Sequence, residues 1–193
     1  MPAQPKLCLA STSPRRREIL QGLGLEFEVV PVETDESPRD GEDASALVVR
    51  LAIAKAEGAS VPGLVLAADT VVVLDGRVLG KPRDMGDAVD MLLALSGRSH
   101  SVFTGVALKT PDRTLTALSS TEVQFREIGR DEALAYWQSG EPCDKAGAYG
   151  IQGRGGAFVA AIHGSYSGVM GLPVFESVEL LKAVGIEILA RRK

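Results

Sequence analysis

Residues 64–82, LVLAADTVVVLDGRVLGKP, constrain the fold more than any other stretch of this 193-residue chain. Residues 64–68 are a continuous apolar run, the pattern of a strand buried on both faces. Asp69 and Thr70 interrupt the run, and residues 71–74 resume it. Asp75-Gly76 is a two-residue hairpin signal, with residues 77–79 as the returning strand. The return carries Gly80, Lys81 and Pro82 back toward the level of Asp69. A carboxylate inside a buried strand is costly unless a cation, a metal or hydrogen-bond donors meet it. The stretch therefore reads as one wall of a site.

A chain of this length forms one domain, with or without lobes, and buries roughly 70% of its unfolded surface without staples. Its net charge of −4 and pI near 5.3 argue against a general nucleic-acid-binding surface, yet leave room for a compact basic pocket. Cys8 and Cys143 lie in no CxxC or Cys/His cluster, which argues against structural zinc, and Cys8 falls in an apolar run as a small buried hydrophobe. The first ten residues carry no signal-peptide pattern and nothing approaches a membrane span, so the expected setting is the reducing cytoplasm.

Residues 6–10 read as a first strand, followed by Ser11-Thr12-Ser13-Pro14-Arg15-Arg16-Arg17. Ser13 is the expected N-cap, Pro14 the first helical residue, and Gly22 or Gly24 the stop. Hydroxyls, guanidinium forks and a helix N-terminus together suit a phosphate. Residues 27–31 read as a second strand, then an acidic loop, 33–38, in which Asp35 or Glu36 is a candidate oxygen ligand for a hard cation. Residues 44–58 are helical by period, with Arg50 and Lys55 either facing a pocket or salt-bridged on a surface face.

Residues 84–95 form another amphipathic helix, capped by Asp84 and stopped at Ser96-Gly97. Residues 99–108 and 114–125 alternate as a hairpin around Thr110-Pro111-Asp112-Arg113. A helix over 131–139, capped by Asp131, leads to a long glycine-rich loop, 141–153, of the kind that approaches a ligand closely. A strand at 157–162, a Gly/Ser-rich turn at 164–171 and a helix at 173–184 complete the chain. His100 and His163 read as packing or surface residues. Ser165, without a GxSxG elbow, is not a nucleophile.

Together the candidates are Ser11, Ser13, Arg15, Arg16, Glu36, Lys55, Asp69, Thr70, Lys81 and Gln152. They supply cations for a polyphosphate, carboxylates for a metal and a base, and an amide for base-edge hydrogen bonds. With no serine or cysteine nucleophile and no Walker loop, the chemistry indicated is attack of activated water on a phosphoryl group.

The segments LASTSPRRREIL, DES, RLAIAKA, AADTVVVLDGRVLGKPRD, LSGRSHSVFTGVAL, EPCDKAGAYGIQG and IHGSYSGVMGLPVFE closely resemble the Maf family of nucleoside triphosphate pyrophosphatases, in family order over nearly the full chain. The resemblance implies one α/β domain over residues 1–193, an elongated mixed sheet flanked by helices with two lobes around a central cleft, as in the inosine-triphosphatase-like fold. It implies hydrolysis of a nucleoside triphosphate to monophosphate and pyrophosphate with a divalent cation, Mg²⁺ or Mn²⁺. It makes Asp69 the general base, Lys81 and Lys55 further catalytic residues, and Glu36 with Asp69 the metal ligands. Ser11, Ser13, Arg15, Arg16, Thr70 and Gln152 become substrate-binding. Arg15, Thr70 and Gln152 match the branch that acts on dTTP and UTP, rather than the branch that prefers 7-methyl-GTP. The competing expectations are a nucleotide-binding regulator of septum formation and cell division, and a house-cleaning hydrolase of ITP-like triphosphates. Relatives imply a homodimer. Neither nucleic acid nor membrane is an expected partner.

Overall fold

The computed structural model describes residues 6–189; the N-terminal reading above falls in part on residues 1–5, outside the described ones. The seven strands make one mixed sheet flanked by helices: β1 (Leu7–Leu9), β2 (Glu28–Val29), β3 (Leu64–Leu74), β4 (Arg77–Leu79), β5 (Ser99–Lys109), β6 (Thr114–Phe125) and β7 (Val159–His163). Their order is β2-β1-β3-β5-β6-β7, with β4 also on β3. β1 runs parallel to β2 and β3, while β3/β4 and β6/β7 are antiparallel. The helices are α1 (Pro14–Gly22), α2 (Ala44–Gly58), α3 (Met85–Leu95), α4 (Arg130–Gln138), α5 (Tyr166–Met170) and α6 (Val174–Lys182). No helix of the described residues is long and apolar enough to cross a membrane.

The chain divides into two compact units. Among the described residues the first holds 6–69, 104–119 and 171–189, and the second holds 70–103 and 120–170. In the first unit β3 is covered on both faces, as its apolar run requires. Leu64, Leu66 and Ala68 pack with Leu20 of α1 and with Leu180 and Leu181 of α6. Val65 and Ala67, on the opposite face by the two-residue period, pack with Ala52 and Ala56 of α2. Asp69 is the next residue in that second phase and so belongs to the α2 side. Gly105 of β5 makes the close approach of α2 possible, because a Cβ there would collide with the main chain of Val48 and Val49.

The second unit has its own core, in which Val72 and Leu74 of β3 meet Leu92 and Leu95 of α3, Phe125 of β6 and Tyr149. The expected hairpin forms, with Leu74 opposite Arg77 and Val72 opposite Leu79. Its turn residues Asp75 and Gly76 have φ of 51° and 75°, the left-handed geometry a two-residue turn demands. His100 of β5 is buried at 3% exposure between Phe125 and Tyr149, and its Nε2 lies 2.8 Å from the Tyr149 hydroxyl.

Burial pushes the His100 pKa down from 6.5 to about 4. The folded state thus favours the neutral ring, and this contribution to stability is complete above pH 6.5 and fades as pH falls toward 4. Stability should therefore drop by about 2 kcal/mol between pH 7 and pH 5 through this residue alone. Denaturant unfolding of the parent and of His100→Phe at both pH values checks this. The variant's loss should be smaller by that amount, and equal losses would remove His100 as the cause.

Several local expectations need correction. The second strand shrinks from 27–31 to Glu28–Val29. Ser13 occupies the N-cap position of α1 but its side chain makes no capping bond; Pro14, with no N–H to satisfy, starts the helix instead. α4 begins at Arg130 with Gly129 in the extended cap conformation. Asp131 lies inside the first turn, where its charge favours the helix dipole rather than capping it. The 141–153 loop is not structureless: it contains short 3₁₀ turns at Glu141–Asp144 and Ala146–Ala148, followed by another at Arg154–Phe158. The turn expected at 164–171 holds α5, and the last helix starts after Pro173.

Candidate active site

Asp69 is 8% exposed inside β3, and its compensation comes from α2. Lys55, one turn beyond the buried Leu51, donates from Nζ to Asp69 Oδ1 at 2.6 Å. The same ammonium lies 2.6 Å from Glu36 Oε1. The Lys55 and Asp69 side chains are 12% and 11% exposed, whereas Glu36 is 59% exposed. One cation therefore bridges a nearly buried carboxylate and one open to solvent.

The acidic loop is braced to present Glu36. Arg50, five residues before Lys55 on α2, donates to Glu42 at 2.6 and 2.7 Å and to the Ser37 carbonyl at 3.0 Å. This fork holds the Glu42 pKa at about 2. Asp35 accepts from Ser37 N at 2.9 Å, which turns the chain back on itself beside Glu36. Asp35 is thus a loop-forming residue, and Arg50 is spent on its half-buried ion pair with Glu42.

The β1–α1 turn supplies the positive side of the first unit. Arg16 donates from Nε to the Gly171 carbonyl at 2.7 Å and from NH1 to Ser11 Oγ at 3.2 Å. Ser11 Oγ also accepts from Ser13 N at 3.2 Å. Burial lowers the Arg16 pKa, opposed by the charges of Asp69 and Glu36 and reinforced by Arg15. Asp69, Glu36 and Arg15 thus all act on Arg16, which holds Ser11, while Lys55 holds Asp69 and Glu36. Ser13 and Arg15 are half-buried.

Thr70, Lys81 and Gln152 belong to the second unit. Thr70 is half-buried in β3, and Lys81 is exposed two residues past the end of β4. The stretch around Lys81 is fixed by Gly147 N donating to Gly80 O at 3.0 Å. Gln152 is exposed between buried Ile151 and buried Gly155. The sequence reading carries Lys81 back toward the level of Asp69; within the first unit the Asp69 carboxylate is met by the Lys55 ammonium. Sequence reasoning missed Gly171, whose carbonyl anchors Arg16, and Glu141, which ties down the Gln152 turn. The only available signal for Glu141 was an acid ahead of a glycine-rich stretch.

A divalent cation fits this donor set. Among the described residues no three His, Cys, Asp or Glu side chains cluster as a metal cage. Glu36 and Asp69 nevertheless share one cationic partner, the Lys55 ammonium, 2.6 Å from an oxygen of each. Two hard carboxylates completed by phosphate oxygens and water are what Mg²⁺ favours over an all-protein cage.

The Maf-like protein family matches residues 6–184. The dTTP/UTP pyrophosphatase of Methylococcus capsulatus is 55% identical over 185 residues, 94% of this chain and 92% of that protein. That of Anaeromyxobacter sp. is 55% identical over 186 residues, 93% and 90% of the two chains. That of Methylobacillus flagellatus is 49% identical over 188 residues, 95% and 94%. Among solved structures, the Staphylococcus aureus Ham1 protein aligns at a TM-score of 0.45 with 15% identity, over 62% of this chain and 71% of that one, a likeness too slight to bear on function. With its site residues carried on the matched segment and relatives this similar along nearly their whole length, the chain belongs to the Maf family.

Proposed function

We propose that the protein hydrolyses dTTP and UTP to the monophosphate and pyrophosphate. What supports this is the Lys55-bridged pair of Asp69 and Glu36 beside Arg16, in a chain whose close relatives are named dTTP/UTP pyrophosphatases. Asp69 takes the proton from the water that attacks the α-phosphorus. Lys55 holds that carboxylate oriented and keeps its second neighbour, Glu36, in place. Ser11, Arg15, Arg16 and Lys81 bind phosphate oxygens by charge-assisted hydrogen bonds, with Ser13 and Thr70 completing the substrate contacts. Gln152, donor and acceptor at once, matches the paired carbonyl and N–H of uracil or thymine. Glu36 and Asp69 are the residues that would hold Mg²⁺ or Mn²⁺, which when bound neutralises charge on the triphosphate.

Hydrolysis of dTTP in ¹⁸O-labelled water tests the point of attack. The label should appear in dTMP, with unlabelled pyrophosphate as the other product. Label in pyrophosphate, or release of orthophosphate, would place the attack on another phosphorus and overturn the assignment of Asp69.

A further inference from the structure

Glu141 lies ahead of the Gln152 turn and faces it with its carboxylate. Oε1 accepts from the Tyr136 hydroxyl at 2.7 Å and from Gly155 N at 3.1 Å, and Oε2 accepts from Arg154 N at 2.9 Å. The Tyr136 hydroxyl in turn accepts from Gly150 N at 3.0 Å. Backbone amides on both sides of Gln152 are thereby tied to one carboxylate or to the phenol it holds. Lys145 secures the base of the arrangement by donating to the Glu141 carbonyl at 2.6 Å. The fit is close: a Cβ at Gly153 would stand 2.5 Å from both carboxylate oxygens, and one at Gly155 2.5 Å from the Tyr136 hydroxyl.

Burial alone would raise the Glu141 pKa, but the bonds from Arg154 N, the Tyr136 hydroxyl and Gly155 N outweigh it and hold it below the usual value. Burial, and then the bond to Glu141, raise that of Tyr136. The carboxylate is therefore the form this arrangement keeps, and an acceptor on both oxygens is what the turn requires. Here three amides are fixed around a short segment whose central side chain is exposed.

We propose that Glu141 and Tyr136 are positioning residues that set the orientation of Gln152 toward a nucleobase, and so control pyrimidine discrimination without touching substrate. This rests on the reading of Gln152 as the base-contacting residue. Glu141→Gln keeps the size but turns an NH₂ donor toward a backbone N–H. Tyr136→Phe removes the bonds to Glu141 and Gly150. Gln152→Ala serves as the reference.

The three variants and the parent are compared for dTTP and CTP kinetics, alongside amide hydrogen exchange. In Glu141→Gln and Tyr136→Phe, exchange at residues 150, 154 and 155 should quicken. KM for dTTP should rise about tenfold, the equivalent of one lost hydrogen bond, with kcat changed less. The dTTP-to-CTP ratio of kcat/KM should fall toward that of Gln152→Ala. If Gln152→Ala flattens the ratio while the other two leave it intact, the positioning role is wrong and Gln152 stands. If Gln152→Ala leaves the ratio intact, the Gln152 assignment falls and takes the proposal with it. Unchanged exchange in both variants would likewise overturn the proposal.

Discussion

Asp69→Asn is expected to fold normally and to lose about 10²–10⁴-fold in turnover, the usual contribution of a general base. The substitution keeps volume inside a strand position that is 8% exposed. The amide oxygen still accepts from the Lys55 ammonium, which stands 2.6 Å from the native carboxylate. What disappears is the capacity to take a proton from water. kcat should therefore fall far more than KM rises, with little change in melting temperature. Turnover near that of the parent, in a variant with parental stability, would remove Asp69 from the chemistry.

Lys55→Met should have the largest effect on stability. It deletes the ammonium that lies 2.6 Å from both Asp69 and Glu36, at side-chain exposures of 12% for Lys55 and 11% for Asp69. The Asp69 carboxyl group is then left in a nearly closed position with its Lys55 partner gone. Breaking a buried pair from one side costs about 3–5 kcal/mol, and the solvent access of Glu36 argues for about 3 kcal/mol here. The double variant Lys55→Met/Asp69→Asn removes the stranded carboxyl group and should recover a part of this. The expected coupling is about 1–3 kcal/mol by denaturant unfolding. Strict additivity of the two single variants would mean the pair does not carry the energy its geometry indicates.

Much of this fold was legible because its signals are periodic. The apolar run of 64–68 named a doubly covered strand, Asp75-Gly76 named the turn, and the 3.6-residue period of Ala44–Gly58 named α2 with the bounds observed. Asp84 caps α3 as expected, its carboxylate accepting from Asp87 N. Caps that depend on a residue's backbone conformation were less visible: Gly129 took the place expected of Asp131, since nothing in the local pattern ranks an extended glycine above an aspartate.

The site was legible as a set of residue types rather than as a set of contacts. The phase of Asp69 within β3 is readable from the sequence, but the identity of the helix covering that phase is a tertiary fact. Naming Lys55 as the partner of Asp69 within the first unit required knowing that α2 packs there. Glu141 illustrates the same limit, because two of its three partners are backbone amides, which carry no sequence signal.

The central claim is tested most directly by measuring pyrophosphate release from dTTP, UTP, CTP, 7-methyl-GTP, ITP and the common purine triphosphates, with Mg²⁺ or Mn²⁺ and with EDTA. The expected result is release from dTTP and UTP that EDTA abolishes and added cation restores, with far less from the others. Release mainly from 7-methyl-GTP or ITP, or nucleotide binding with no release at all, would contradict it.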